Sequence, residues 1–429
     1  MRRWRIGCCG QSALQLPTSQ DVPQGPQAIG RPARHSSSQI SRNTCGKSSV
    51  CDSNESVKSL SMSSTTSLDF SPQVATATPR QRSVIEPIQY LRGLAAVLVL
   101  LHHVAFKLTR YPVDPLRWLH CGDIGVDVFF VISGFVITHS VRGKHGSAAS
   151  VNEFLRGRIA RIIPLYWLLT VVANAVFIAA PSFVNSSGGT TNIVASYFLL
   201  PTDDKYLVQN GWTLAYEFYF YALFASALLL PRAAGRGLVV TILCLLGSSN
   251  IVLTPHGPVQ QFLLSPMLLE FAGGILLYLM YERAVGLAPW VRLALAGIAL
   301  TLWILVNAGQ ATGIRVLDYG VASWFLCLAA VARRQDAAPL RWEVPHWLGD
   351  VSFSLYLIHP FVVAGVVIVL SHAPEPIRHR SDLAMCLALA GSVAAAGIVY
   401  RWIEQPLTRA ARHVLHRQEV RTMPTRASP

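Results

Sequence analysis

Residues 91–103 read LRGLAAVLVLLHH, an apolar run that begins beside Arg92 and ends at His102 and His103. An ionisable side chain at the centre of a membrane helix costs at least about 2.5–3.5 kcal/mol, so such residues usually have a function. Arg92 and His103 are eleven residues apart, which in an α-helix is about three turns and about 16 Å along the axis. We therefore predict that both side chains share one helix face, with His102 turned about 80° away.

The composition is that of a membrane protein. The chain has 429 residues, of which 52% are hydrophobic and 14% are charged, whereas soluble domains are about 25% charged. Ten apolar runs approach or exceed the roughly 18 residues that a membrane helix needs. The sequence thus predicts an all-α, polytopic membrane helix bundle of about ten transmembrane helices. The predicted spans are residues 89–108, 124–141, 160–180, 212–231, 236–254, 262–282, 290–308, 314–333, 351–371 and 383–404.

The distribution of basic residues predicts the orientation of these spans. Arginines and lysines concentrate in alternate connections such as 142–161 and 333–341, although loops 109–123 and 372–382 break the pattern. Basic loops face the cytoplasm, so both termini are expected there, with the protein in a bacterial inner membrane. The same rule accounts for the net charge of +14 without nucleic-acid binding.

Three regions follow from the composition. Residues 1–83 are rich in Ser, Gln, Pro and Arg, which predicts a disordered basic N-terminal tail. Residues 84–408 hold the spans, and residues 409–429 are expected to form a basic cytoplasmic tail. The eight cysteines are scattered, and we expect neither a disulfide framework nor a metal site.

Three ionisable residues are predicted to lie at a similar depth, in the outer third of the bundle. They are His103 in the first span, Asp127 in the second and Glu217 in the fourth. An imidazole oriented by a carboxylate is a candidate general base. The alternatives are a packing role for either histidine of the pair 102–103, and an interfacial cap for Asp127.

Two further ionisable residues are expected to be structural. His359 falls in the inner half of the span 351–371, where packing or a kink with Pro360 explains it. Glu404 lies at the inner end of the last span and is expected to pair with Arg401 or another basic residue.

The segment RGRIARIIPLYW places Arg158 and Arg161 three residues apart, on one helix face. Pro164 falls in the first turn of the span 160–180, where proline is tolerated. The two arginines are therefore predicted at a helix start on the cytoplasmic rim, near Arg92. Guanidinium groups so placed suit a phosphate-bearing ligand, and the alternative is a topology signal only.

Six blocks in order along residues 84–408 resemble the acyltransferase-3 family of integral membrane acyltransferases. The blocks are IQYLRGLAAVLVLLHHVAF, GDIGVDVFFVISGFVI, RIARIIPLYW, GWTLAYEFYFY, FSLYLIHPF and WIEQPL. The resemblance implies transfer of an acyl group, with acetyl the first expectation, from cytoplasmic acyl-CoA to a hydroxyl of an extracytoplasmic glycan such as exopolysaccharide or O-antigen. It implies that Arg92 and His103 are the essential pair and that Arg158 and Arg161 bind the donor.

A second class of function also explains buried charges in a helix bundle, namely a transporter or flippase of a glycan or lipid. Release of coenzyme A on adding acyl-CoA and acceptor separates the two. The expected partners are acyl-CoA, a glycan or glycolipid acceptor and membrane lipids. The expected catalytic residues are His103, Arg92, Glu217 and Asp127, with no metal.

Overall fold

The structure, a computed structural model, describes residues 85–422 except 110, 112–115, 117–121, 182–188, 251–252 and 334–341. The predicted tail 1–83 lies outside these residues. In the described part the regular structure is helical, and the β-pairing is a single isolated bridge between Thr191 and Lys205. The predicted all-α class is confirmed.

Fourteen α-helices and two π-helical turns make up the described part, in this order: α1 (Glu86–Leu108), α2 (Ile124–Ser140), α3 (Ala148–Ala179), α4 (Ile193–Phe198), α5 (Gly211–Ala227), α6 (Arg232–Ser249), α7 (Gly257–Leu263), α8 (Leu268–Glu282), α9 (Pro289–Asn307), a π turn (Val316–Gly320), α10 (Val321–Val331), α11 (Glu343–Ser371), α12 (Glu375–Arg378), α13 (Ser381–Val399), a π turn (Tyr400–Glu404) and α14 (Gln405–Thr422).

Seven helical segments of the described chain are long and apolar enough to cross a membrane. They are α1, α3, α6, α7 together with α8, α9, α11, and α13 continued into α14, while α2 and Val316–Val331 are shorter apolar helices. Each of the ten predicted spans coincides with a helix, and how many of them cross stays a prediction. Exposed side chains on these helices include Trp290, Leu293 and Trp402, at 74–75% exposure, as expected of a lipid-facing surface.

Two helices begin well before the predicted spans. The third span was predicted to start at residue 160, but α3 starts at Ala148, and the Ser147 hydroxyl caps it by accepting from the Ser150 N–H at 3.2 Å. Pro164 is therefore inside the helix, not in its first turn. The ninth span was predicted from residue 351, but α11 starts at Glu343. In both cases a polar stretch extends an apolar helix, which a hydropathy criterion does not detect.

Helix α1 packs against α2, α11 and α13. Its contact with α11 is close because both helices carry glycine at the crossing: a Cβ on Gly349 would lie 2.2 Å from the Gln89 carbonyl oxygen. The crossing of α2 and α8 is similar, since a Cβ on Gly274 would lie 2.1 Å from the Val131 carbonyl oxygen. Small residues allow such backbone contact between membrane helices.

The C-terminal basic segment is helical through residue 422. Helix α13 continues through the π turn Tyr400–Glu404 into α14, and α14 packs against α3. Residues 423–429 lie outside the described part. The packing of α14 brings Glu404 to the side of the bundle that holds the arginines of α3.

Candidate active site

Two histidines from two helices lie ring to ring inside the bundle. The rings of His103 on α1 and His359 on α11 have centroids 4.9 Å apart and planes inclined by 51°. The His359 side chain is fully buried, and His103 is half-buried. Arg92 lies beside Ser352, and His103 lies beside His359. Helices α1 and α11 are therefore parallel and adjacent over the whole length of the site.

His102 lies on a different face of α1. Its Cβ is beside Gly122, just before α2, where a Cβ added to the glycine would be 3.0 Å away. Its ring meets the His103 ring edge-on, with centroids 5.5 Å apart. The predicted angular separation of the two histidines therefore holds in the structure.

The carbonyl that Pro360 frees is satisfied by another helix. Proline has no N–H, so the Tyr356 carbonyl, four residues earlier, loses its helical partner. The Asn210 amide nitrogen donates to that carbonyl at 2.5 Å. The Tyr356 hydroxyl is 2.6 Å from the Thr213 hydroxyl. These bonds fix the start of α5 on α11.

Arg92 lies at the other end of the shared face of α1. Its Nη1 donates to Gln89 Oε1 at 3.0 Å, and its Nη2 donates to Ser352 Oγ at 2.9 Å. Both acceptors are neutral. The charge of Arg92 is therefore held in place by hydrogen bonds without being neutralised by a bonded carboxylate.

Arg158 and Arg161 lie on the same side of the bundle as Arg92. Arg158 Nη2 donates to Ser140 Oγ at 2.8 Å, and its guanidinium lies 5.6 Å from the Phe154 ring centre and 5.9 Å from that of Tyr221. Arg161 is close enough to Arg92 for their charges to repel, and it forms no hydrogen bond with any described residue. The pair lies ten and thirteen residues into α3, so the predicted position at a helix start is wrong, for the reason given for Ser147.

Two carboxylates complete this arginine cluster, which we define as Arg92, Arg158 and Arg161. Glu217 Oε1 accepts from the Ser133 hydroxyl at 3.1 Å and from the Tyr221 hydroxyl. Glu404 Oε2 accepts from the Ser354 hydroxyl at 2.6 Å. The basic residues whose charges act on Glu404 are Arg161 and Arg92, not Arg401. Both carboxylates are near enough to Arg92 to interact with its charge. Within the described residues, however, no carboxylate forms an ion pair with any of the three guanidiniums.

Asp127 belongs to a separate buried cluster. Arg315, which precedes the π turn Val316–Gly320, donates to both carboxylate oxygens of Asp127, at 3.1 and 2.7 Å, and to Asp123 Oδ2 at 3.0 Å. Glu270 on α8 lies beside Asp127, is 3% exposed and has both oxygens buried without a donor among the described residues. We call Asp127, Glu270 and Arg315 the acid pair and its arginine.

The predicted meeting of His103, Asp127 and Glu217 does not occur. The described residues around His103 include two imidazoles and no bonded carboxylate, Asp127 is bonded to Arg315, and Glu217 faces the arginine cluster. Equal depth was the basis of the prediction. Glu217 is bonded to Ser133, six residues after Asp127 on α2, which is about 9 Å along the helix axis, so its depth differs from that of Asp127. Asp127 is separated from His103 laterally, because it pairs with Arg315.

The sequence interpretation missed three residues of these clusters. His359 was placed in the inner half of its span, because the start of α11 was set eight residues too late. Glu270 and Arg315 are absent from the predicted site, although an ionisable residue within an apolar span is itself a signal of function. Within the described residues, no group of three or more His, Cys, Asp or Glu side chains is arranged to hold a metal ion.

Comparison with known proteins assigns most of the chain to one family. A family model described as an acyltransferase domain matches residues 85–401. The chain belongs to the acyltransferase-3 family. The match begins one residue before α1 and ends within the second π turn, so it includes the three arginines, the acid pair and its arginine, and the imidazole pair, and stops before Glu404. The resemblance noted from the six sequence blocks is confirmed, and the protein is a membrane acyltransferase.

Two curated relatives are similar over about two thirds or more of the chain, and a third over about one third. The exopolysaccharide production protein ExoZ of Rhizobium meliloti (strain 1021) is 30% identical over 301 residues, which are 68% of this chain and 91% of ExoZ. The acyltransferase MdmB of Streptomyces mycarofaciens is 26% identical over 360 residues, 74% of this chain and 90% of MdmB. The peptidoglycan O-acetyltransferase OatA of Listeria monocytogenes is 28% identical over 170 residues, 35% of this chain and 25% of OatA. No solved structure matches the chain significantly.

Proposed function

We propose that the protein is an O-acyltransferase that moves an acetyl group from cytoplasmic acetyl-CoA to a hydroxyl of an extracytoplasmic glycan, such as exopolysaccharide or O-antigen, in a bacterial inner membrane. The observation that carries this proposal is the arginine cluster: three guanidiniums converge, and none has a bonded carboxylate within the described residues. An unpaired charge in a partly buried site is costly, so the cluster favours a polyanionic ligand, and the phosphates of acyl-CoA fit it.

The imidazole end of the shared face supplies the chemistry in this proposal. His103 takes the proton from the acceptor hydroxyl while that oxygen attacks the thioester carbonyl carbon. The carbon–sulfur bond breaks, its electron pair stays on sulfur, and the thiolate takes up a proton to leave as coenzyme A. Arg92 and His103 are about 16 Å apart along the axis of α1, so the donor lies along this helix with its thioester toward His103.

The carboxylates receive different roles in this proposal. Glu217 accepts hydrogen bonds from Ser133 and Tyr221 and thereby holds the Tyr221 side chain beside Arg158, at the end of the site that binds the donor. Asp127 has no part in the chemistry, because both its oxygens are bonded to Arg315. Its role is to stabilise the bundle.

The names of the relatives support a glycan acceptor. ExoZ is named for exopolysaccharide production and OatA for O-acetylation of peptidoglycan. The decisive experiment uses the purified protein with acetyl-CoA and a glycan acceptor. Acceptor-dependent release of coenzyme A, with acetyl recovered on the glycan by mass spectrometry, supports the proposal. Movement of glycan across vesicles without release of coenzyme A supports the transporter or flippase instead.

The proposed orientation predicts opposite locations for two connections. Reporter fusions at Asp203, between α4 and α5, and at Arg333, after α10, should report the outside and the cytoplasm respectively. The reason is the excess of basic residues around Arg333. Fusions that report the same side at both positions contradict the orientation, and with it the assignment of the arginine cluster to cytoplasmic acyl-CoA.

Arg161→Ala is expected to raise the KM for acetyl-CoA about tenfold or more, with the KM for the glycan nearly unchanged. The reason is that Arg161 has no bonded partner among the described residues and is therefore free to donate to a phosphate, and a hydrogen bond to a charged group contributes about 1.5–3 kcal/mol. Arg161→Lys should recover part of the loss, because lysine keeps the charge but not the fork of donors. An unchanged KM for acetyl-CoA in the alanine variant contradicts a role of Arg161 in donor binding and leaves it the role of a topology signal.

A further inference from the structure

His359 carries a buried nitrogen that no described group satisfies. Its side chain is fully buried, and its Nε2 has no hydrogen-bond partner among the described residues. Leaving a buried polar group unsatisfied costs about 1–3 kcal/mol. A cost of this size inside the bundle favours a functional role for His359 Nε2.

The other ring nitrogen determines the chemical state of Nε2. His359 Nδ1 is 2.9 Å from the Leu355 carbonyl oxygen. A carbonyl only accepts hydrogen bonds, so Nδ1 carries the hydrogen in this contact. In the neutral ring, Nε2 is then the nitrogen with the lone pair. His359 thus presents a hydrogen-bond acceptor in the same part of the site as the His103 ring.

The two rings are near enough for a direct bond. Their centroids are 4.9 Å apart, and each ring nitrogen projects about 1 Å from its centroid. Rotation of the half-buried His103 side chain can therefore bring one of its nitrogens toward His359 Nε2, while His359 Nδ1 stays bonded to Leu355. Tyr356 closes one side of the His359 ring, at 6.2 Å between centroids. On this geometry, an N–H of His103 is a suitable donor to His359 Nε2.

We propose that His359 is a positioning residue that acts through His103. His359 Nε2 accepts the N–H of one His103 nitrogen, which leaves the other nitrogen of His103 unprotonated and directed at the acceptor hydroxyl. When that nitrogen takes the hydroxyl proton, the bond to His359 shares the positive charge of the imidazolium until the proton passes to the thiolate of coenzyme A. In serine hydrolases a third group orients the base in the same way. This inference rests on the proposed acyl transfer.

A packing role is the alternative, and it uses only the side of the ring that faces the backbone of α11, at Leu355 and Tyr356. The Pro360 kink needs a donor for the Tyr356 carbonyl, and Asn210 supplies it. The bond from His359 Nδ1 to Leu355 stays within α11. A side chain that only filled space or made this bond would not need a second nitrogen.

Two variants test whether activity depends on His359 Nε2. His359→Asn keeps a donor at the position of Nδ1 for the Leu355 carbonyl but has no atom at Nε2. His359→Gln reaches the position of Nε2 with an amide oxygen that accepts a hydrogen bond. We expect the Asn variant to lose about 10²-fold or more in kcat, within the range of a positioned base, with the KM for acetyl-CoA and the amount of membrane protein unchanged. The Gln variant should regain at least about tenfold over Asn.

The control is His102→Asn, which alters the neighbouring ring on the other face of α1 and should keep most of its kcat. Near wild-type kcat in His359→Asn overturns the inference, and so does a Gln variant no better than Asn when both are folded and abundant. The variants are compared only if the wild-type protein releases coenzyme A when acetyl-CoA and the acceptor are present. Failure of that reaction refutes the proposed function, whereas an active wild type with an active Asn variant refutes only the role of His359.

Discussion

His103→Ala is expected to reduce glycan acylation by about 10²–10⁴-fold, the contribution of a positioned general base. The variant should still reach the membrane at normal abundance, because the His103 ring is half-buried and its observed contacts are with two other imidazoles. The measurement is acetyl on the glycan by mass spectrometry, divided by the amount of protein in the membrane. Alanine removes the proton-accepting atom and leaves α1 intact.

His102→Ala is the matched control for this substitution. It removes an imidazole one residue away, on the face toward Gly122, and most of the activity should remain. An active His103→Ala together with an inactive His102→Ala contradicts the assignment of the base. Inactivity of both variants at normal abundance shows that the two imidazoles act together, which the difference in face does not predict.

Arg315→Leu is expected to lower the free energy of unfolding by about 3–5 kcal/mol, the usual effect of breaking a buried ion pair from one side. Arg315 is the bonded partner of both oxygens of Asp127, and Glu270 lies beside them with no bonded donor among the described residues. Removing the guanidinium leaves two adjacent buried carboxyl groups without their cation. Thermal unfolding of the detergent-purified protein, with its yield from membranes, measures the effect.

Adding Asp127→Asn and Glu270→Gln to Arg315→Leu should restore much of the stability, because the two buried carboxyl groups then carry no charge, and Asp123, the other partner of Arg315, is partly exposed. Arg380→Leu is the control, since Arg380 pairs with Asp382 in the open, where both side chains are more than half exposed. Exposed ion pairs contribute little, and no change should be detected. Equal stability of Arg315→Leu and wild type contradicts a structural role for the acid pair and its arginine.

Much of the helical architecture could be predicted from hydropathy, and the errors have one cause. Every predicted span coincides with a helix, because an apolar run in lipid must satisfy its backbone internally. Helix starts were missed at Ala148 and Glu343, where the chain is polar. Hydropathy measures where a helix meets lipid, while capping and propensity set where it begins. The late start of α11 also misplaced His359.

The candidate site was predictable along α1 and less so across the bundle. Helical periodicity predicts that Arg92 and His103 share a face, and in the structure each of them contacts α11. The lateral neighbours of Asp127 and Glu217 depend on which helices touch, and one sequence does not contain that information. The bond of Asn210 to the Tyr356 carbonyl could not be predicted for the same reason, since it joins residues 146 positions apart on different helices.

The glycine contacts of α1 with α11 and of α2 with α8 limit how the bundle can move. At both crossings a backbone atom occupies the place of a missing side chain, so these helices cannot slide past each other without collision. Carriers that expose a site alternately to each side depend on such rocking. Two crossings held in this way favour a fixed bundle over the rocking of a carrier. In the proposed reaction the donor and the acceptor then enter from opposite ends and meet at one place, so that only the acyl group changes sides.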